Sequence, residues 1–344
     1  MAYSTLRDFL DDLERTGELH RVTEPVSPEL EITEVAQRHS LAPAANRSEA
    51  ATAFDPLYHD RGGKALLFER VEGCDFPLAI NAWGSYRRME MALGCHDRGG
   101  FTAIADRIAS LVKPEPPRSL REAATKAREV LPLLRIPPKQ TRRGRCQEIV
   151  RLTERGEVDL TRLPIIRCWP LDGDPAAVGY DLDADAAGTA AGGGRYITLA
   201  GMHTIHHDDA GAAKPSSHNI GMYRSQLLDA TRLAMHWHIH HDGASHWRSW
   251  KRAGKPMPIA IALGGESVMP YAATCPLPPG ISELLMAGFL HGRGIPLVRC
   301  RTVPLRVPAN SEIVIEGWVS TECGPIGWDP RETDEPLGPG AVFE

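Results

Sequence analysis

Apolar residues recur at helical intervals near the start of the chain. Leu6, Phe9, Leu10 and Leu13 lie on one face between Thr5 and Thr16, with acids opposite, which predicts an amphipathic helix. Glu29 to His39 repeats the pattern. Between Leu41 and Asp60 it dissolves into Ala, Asn and Pro, so a loop is expected. Alternation takes over in KALLFERVEG and DFPLAINAWGS, as half-buried strands require. Helical spacing returns at Arg87–Leu93, Thr102–Val112 and Ser119–Val130. Helices interleaved with strands predict an N-terminal α/β domain over residues 1–125.

The segment Pro114 to Arg145, rich in Pro, Lys and Arg, reads as a solvated crossover. Beyond it come short strand-like runs: CQEIVRL, LPIIRCWP, RYITLAGMHTIHH, PMPIAIALGG, IPLVRCRTVPLRVP and SEIVIEGWVS. Such a density of short strands separated by Pro and Gly predicts a barrel or sandwich over residues 126–335, and an α+β chain as a whole. The interval Leu171–Gly194 is poor in large apolar residues and ends in three glycines. It reads as a surface insertion, either a lid or a plain linker.

Composition narrows the partners. The net charge is −5 with both signs mixed, which argues against a general nucleic-acid binder. No apolar run approaches membrane-spanning length, and the first residues are acidic and helical rather than a signal peptide. The seven cysteines form no CxxC pair, so reduced thiols and a cytoplasmic location are expected.

The chemistry concentrates between Ser216 and Trp250. Six of the chain's 14 histidines (218, 236, 238, 240, 241 and 246) lie there, with Asn219, Tyr223 and Arg224. Imidazole is a common metal ligand that titrates near neutrality, which points to a metal, a proton relay or a bound anion; a pair of polar surface strands is the bland alternative. The run MHWHIHH alternates, which as a strand would put His236, His238 and His240 on one face. Asn219 and Arg224 sit five apart across an expected turn, followed by the helix-like SQLLDATRL. An Asn oxygen suits a hard divalent ion, and an Arg fork suits a carboxylate or phosphate. The acids available to complete a mixed O/N site include Glu283, Glu312, Glu316, Glu322, Glu335 and Glu344.

These segments, with LRDFLDDLERTGELHRV, NIGMYRSQ, HWHIHHDGA, LPPGISELLMAG and VPANSEIVIEG, resemble the UbiD family of reversible decarboxylases. The resemblance implies an N-terminal α/β domain followed by a split β-barrel that binds prenylated FMN. It implies Mn²⁺ (or Mg²⁺) with K⁺ at the cofactor phosphate, and a homo-oligomer built through a C-terminal domain. A flavin prenyltransferase would supply the cofactor, whose modified ring serves as an electron sink while CO₂ leaves. By motif, Asn219 and Glu283 match metal ligands; the histidine ligand falls in HIHHDG, with His240 favoured and His241 close behind. Ile220, Gly221, Met222, Tyr223, Arg224, His236, Trp237, His238, His241 and Asp242 would line the cofactor together with Asn219 and Glu283. Arg224 matches the arginine of the family's catalytic acid–arginine network.

Two features depart from the family. Its barrel ordinarily ends in E-G-P-[FY]-G-[DE], with both acids catalytic. Matching Gly338-Pro339 to that motif puts Leu337 at the first acid, leaves Glu335 as a displaced substitute, and gives Glu344 the proton-donor place. Residues 336–344 would begin the connection to a C-terminal domain, which the sequence lacks. The expected activity is reversible, non-oxidative decarboxylation of an aromatic or α,β-unsaturated acid. A flavin-binding or assembly homologue without turnover, and a metal-dependent hydrolase, are the alternatives.

Overall fold

The computed structural model describes residues 2–112, 135–174, 177, 190–277 and 282–321. Helix α1 (Leu6–Arg15) starts at Thr5, whose hydroxyl accepts the Asp8 N–H at 3.0 Å, and buries Phe9 and Leu13 completely. Strand β1 (Leu19–Val22) runs parallel to β2 (Ala65–Phe68), which pairs antiparallel with β3 (Leu78–Ile80). Helices α2 (Glu31–Leu41) and α3 (Glu49–Phe54) fill the crossover between β1 and β2.

Helix α3 lies inside the stretch expected to be a loop. Ser48 caps it by accepting the Ala51 N–H, and the same hydroxyl donates to buried Glu90 at 2.7 Å, so a tertiary partner fixes a cap in an Ala-rich stretch. Helices α4 (Tyr86–Leu93) and α5 (Gly100–Val112) follow as expected. The Arg88 side chain of α4, fully buried, donates to Glu18 at 2.9 Å and to the carbonyls of Gly62 and Gly63. The helix expected at Ser119–Val130 falls outside the described residues.

After β4 (Lys139–Gln140) the chain builds β5 (Tyr196–Ile197), β6 (Gly201–Thr204), β7 (Asn219–Met222), β8 (Arg224–Leu227) and β9 (Leu233–His236). Helix α6 (Asp242–Arg252), β10 (Met257–Leu263), α7 (Met269–Ala272) and α8 (Glu283–His291) come next. Strands β11 (Pro296–Arg299), β12 (Arg306–Pro308) and β13 (Ile313–Val319) end it. The sheets are ordered β13-β10-β6-β7, β5-β8-β9 and β12-β11-β4. Among the described residues they form three separate ladders rather than one closed barrel. They share one apolar core that includes Met202, Leu227, Met257, Ile259, Ile261, Val298 and Val307, with Trp247 and Trp250 from α6.

Several runs take other forms than alternation suggests. CQEIVRL contains a 3₁₀ turn at Arg145–Gln147, and LPIIRCWP makes only isolated bridges, Glu29 to Arg167 and Ile166 to Tyr196. SQLLDATRL is no helix: Asp229 accepts the N–H groups of Thr231 and Arg232 and closes a β8–β9 hairpin. No helix among the described residues is long and apolar enough to cross a membrane.

The N-terminal elements are fastened to the second region at Ser267. Its N–H donates to Tyr3 O, its hydroxyl accepts the Tyr3 N–H and donates to Ala92 O, and its carbonyl accepts the Trp83 indole N–H. Ala2, Leu93 and Ile104 share a buried cluster there with Val268, Leu284 and Leu290.

Candidate active site

The site is organised by the place where the chain leaves one sheet for another. Strand β7 pairs with β6, Asn219 opposite Thr204, while β8 two residues later pairs with β5 and β9. Tyr223 occupies the crossing. Its ring fills the space a Cβ on Gly221 would take, 2.1 Å from that position. Glycine at 221 is therefore the condition for Tyr223 to fold back over β7.

On the β7 side, Asn219 is buried, and Glu283, in the first turn of α8, meets the next residue, Ile220. Ser282 sets that meeting: its side chain accepts the Leu284 N–H at 3.2 Å as helix cap, and its hydroxyl donates to His218 O at 3.4 Å. The Ile220 N–H donates to Glu283 Oε2 at 3.1 Å. Burial is the main influence raising the Glu283 pKa, and the negative charge of Asp242 adds to it. The Gly243 N–H reaches the Tyr223 hydroxyl at 3.4 Å, and the His241 ring lies 4.8 Å from that of Tyr223. Burial raises the Tyr223 pKa, against the pull of the Gly243 N–H. The Asn219 amide nitrogen is buried without a hydrogen-bond partner.

This arrangement separates the two candidate histidines. The run HWHIHH is not a strand beyond His236. The His241 N–H bonds to His238 O, His241 Nδ1 accepts the His238 N–H, and residues 239–240 form the turn that leads into α6. His236, His238 and His240 consequently do not share a face. His240 and His238 are exposed, whereas His241 is half-buried beside Tyr223.

On the β8 side, exposed Arg224 faces His236 across the β8–β9 ladder, its guanidinium 5.5 Å from the Tyr196 ring centre. Tyr196 donates to Gln226 Oε1 at 3.0 Å, and His236 Nε2 lies 3.2 Å from the same oxygen. An amide oxygen only accepts, so that contact places the imidazole proton on Nε2. Burial, and then the positive charge of Arg224, holds the His236 pKa down to about 4. Asp172 acts on His236 and Tyr196 with the opposite sign. Gly173 and Gly194 pack together beside Gln226, so the two ends of the Leu171–Gly194 interval meet here. Asp172, Tyr196 and Gln226 were not singled out from the sequence. Register on β5 and β8 brings Tyr196 and Gln226 beside Arg224 and His236, and the meeting of Gly173 with Gly194 brings Asp172 within reach of His236.

His203, His218 and His246 make two separate contacts next to β7. His203 Nδ1 and His218 Nε2 are 3.0 Å apart, and Thr204 Oγ1 is 2.9 Å from His246 Nδ1. Burial pushes His218 and His246 down to about 4 and His203 well below the ordinary range. Among the described residues no three His, Cys, Asp or Glu side chains converge as a metal site by themselves. Glu335 and Glu344 lie outside the described residues.

Comparison with known proteins shows the family. The model of the 3-octaprenyl-4-hydroxybenzoate carboxy-lyase Rift-related domain, UbiD, matches residues 138–329, and that of its N-terminal domain matches residues 10–108. The chain belongs to the UbiD family. An uncharacterized protein of Aquifex aeolicus is 39% identical over 341 residues, 99% of this chain and 59% of that protein. An evolved dimeric form of the UbiD-class enzyme HmfF from Pelotomaculum thermopropionicum, solved in complex with prFMN, superposes with TM-score 0.67 at 24% identity. That match covers 99% of this chain and 64% of HmfF. The closed form of Sedimentibacter hydroxybenzoicus vanillic acid decarboxylase gives TM-score 0.66 at 23% identity, covering 93% and 55%. The chain thus spans somewhat over half the length of the relatives it matches.

Proposed function

We propose that the chain carries the cofactor-binding part of a prenylated-FMN-dependent decarboxylase acting on an aromatic or α,β-unsaturated acid. The observation that carries the reading is the meeting of Asn219, Glu283 and His241 around Tyr223, one strand away from Arg224. Asn219 offers an amide whose buried nitrogen is unsatisfied; the opposite amide rotamer would present its oxygen there. Glu283 keeps one oxygen on Ile220, and the burial that raises its pKa disfavours a bare negative charge there. A cation relieves that penalty, and an amide oxygen, a carboxylate and an imidazole suit Mn²⁺ or Mg²⁺. These residues therefore fit the ion the family implies, with His241 preferred to exposed His240. The ion would anchor the flavin phosphate, with K⁺ as its expected companion.

When bound, prenylated FMN supplies the electron sink for loss of CO₂. The chain supplies the rest. Tyr223 and Gly221 shape the wall of β7 on which the cofactor is expected to rest. Arg224 presents its planar fork to the substrate carboxylate, backed by the Tyr196 ring. His236, uncharged at neutral pH, adds no second positive charge beside Arg224. Returning a proton to carbon requires an acid. The family match ends at residue 329, so it includes Glu322 and the following Cys-Gly-Pro-Ile-Gly but neither Glu335 nor Glu344. That favours Glu322 as the acid. Expression of the cofactor supplier in the same cytoplasm, and assembly into a homo-oligomer, belong to the same proposal.

Co-expression with a flavin prenyltransferase tests the reading. Flavin-like absorption and bound manganese are expected, with substrate-dependent CO₂ release. Glu283→Ala should lose the metal and Arg224→Ala should lose CO₂ release by 100-fold or more while keeping the flavin, on the order of one well-placed charged contact in a transition state. Glu322→Gln should abolish release where Glu335→Gln and Glu344→Gln do not. Flavin and metal without any CO₂ release would identify a non-catalytic homologue, and a colourless zinc protein would refute both.

A further inference from the structure

We propose that the cleft beneath the turn joining β11 to β12 binds a small polyanion, a molecule carrying two or more phosphate or carboxylate groups. The cleft encloses about 500 Å³, and its lining includes Arg142, Gln147, Arg299, Arg301, Thr302 and Pro304. That volume lies in the range of small-molecule sites. None of its lining residues belongs to the Asn219–Arg224–Glu283 site, so the inference stands apart from the decarboxylase reading.

Three arginines line this one cavity in a chain whose net charge is −5. Among the described residues none of the three has a carboxylate within 4 Å of it. The acid bonded to this turn is Glu316 of β13, and its oxygens are engaged. They accept the Arg301 N–H at 2.9 Å, the Thr302 N–H at 2.6 Å and the Thr302 hydroxyl at 2.7 Å. Glu316 therefore holds the turn in shape and offsets one of the three positive charges, which leaves the cleft positive. Gln147 fixes the far wall by donating to Arg299 O at 2.7 Å.

The sheet beneath adds an independent sign. Arg299 stands directly opposite Arg306 in the β11–β12 ladder. Like charges at such a cross-strand pair repel, a cost that a bound anion would relieve. Arginine forks match phosphate and carboxylate oxygens in two-point contacts, which a lone lysine does not do. Val303 and Pro304 supply an apolar wall, leaving room for the organic body of such a ligand.

Calorimetric titration of the chain with inorganic triphosphate, citrate and orthophosphate at one fixed ionic strength tests the site. Saturable one-to-one binding is expected for triphosphate or citrate, at least tenfold tighter than for orthophosphate. The stronger of the two shows whether the site prefers phosphate or carboxylate. Arg299→Ala and Arg301→Ala should each weaken that binding about tenfold, and Arg301→Lys several-fold, because it keeps the charge and loses the fork. Arg38→Ala, on the exposed face of α2, should leave it unchanged. Equal affinity for all three anions, an equal loss in Arg38→Ala, or no saturable binding would each overturn the proposal.

Discussion

At the scale of single residues, burial sets most of the chemistry, and Glu266 is the clearest case. It is 1% exposed, one oxygen accepts the Asn310 amide N–H at 2.8 Å, the other has no partner, and burial pushes its pKa up to about 7. In the unfolded chain the group titrates near 4.5. Between those values the folded state holds a proton that the unfolded state has released. This contribution to stability is therefore complete below about 4.5 and lost as pH rises through about 7. Glu266→Gln keeps the acceptor for Asn310 and removes the ionisation. It should stabilise the protein at pH 8 by up to about 3 kcal/mol and change little at pH 4.5, as urea unfolding at the two pH values would show. Equal stability of the two proteins at pH 8 would contradict the burial argument.

At the scale of elements, the switch from β7 to β8 is what joins cofactor side and substrate side. Gly221→Ala would drive a methyl into the Tyr223 ring, which contacts the Cβ position through Cε2, Cζ and Oη. The ring must swing away and give up its contacts with Gly243 and His241. A loss of about 1–3 kcal/mol is expected from such overpacking, with at least tenfold weaker manganese binding. A variant that melts like the parent and binds manganese equally well would show that the ring has room to move. Elements with a steady period were legible from the sequence: α1, β2, β10 and β13 all appear where alternation or helical spacing puts them. Glu283 opens α8 behind its cap Ser282, as an acid in a first turn is favoured to do. The missed elements are those where a side chain captures the backbone. Asp229 turns a helical pattern into a hairpin, His241 ends an alternating run in a turn, and Ser48 starts a helix in an Ala-rich stretch. Periodicity carries no record of such bonds. Nor could it show that Tyr196 comes to face Arg224 and Asp172 to act on His236, since they arrive through strand register and loop closure.

At the scale of the whole molecule, buried imidazoles set the response to acid. His218, His236, His246 and His291 are each held near 4, chiefly by burial, against 6.5 in the open chain. Here the unfolded state takes up protons that the folded state refuses. Their contribution is full above about 6.5 and lost as pH falls from there towards 4. Four such groups together oppose a folding free energy of roughly 5–15 kcal/mol. Acid unfolding is therefore expected with a midpoint between pH 6.5 and 4, and stability should level off near neutrality, because the four imidazoles outweigh the single loss from Glu266 between pH 4.5 and 7. Circular dichroism across that range checks it. A chain still folded at pH 3.5 would show that these imidazoles accept protons in place.

The clasp at Ser267 also bears on how the protein is made. Tyr3 bonds to a residue 264 positions later in the sequence. At the usual synthesis rate of about 5–20 residues per second, the first helix must wait roughly 15–50 s for its partner to be translated. Through that interval Ala2 and Leu93 lack the apolar surface they share with Val268 and Leu284 in the finished fold. Nascent chains are therefore most open to chaperones, and to aggregation, before residue 267 leaves the ribosome.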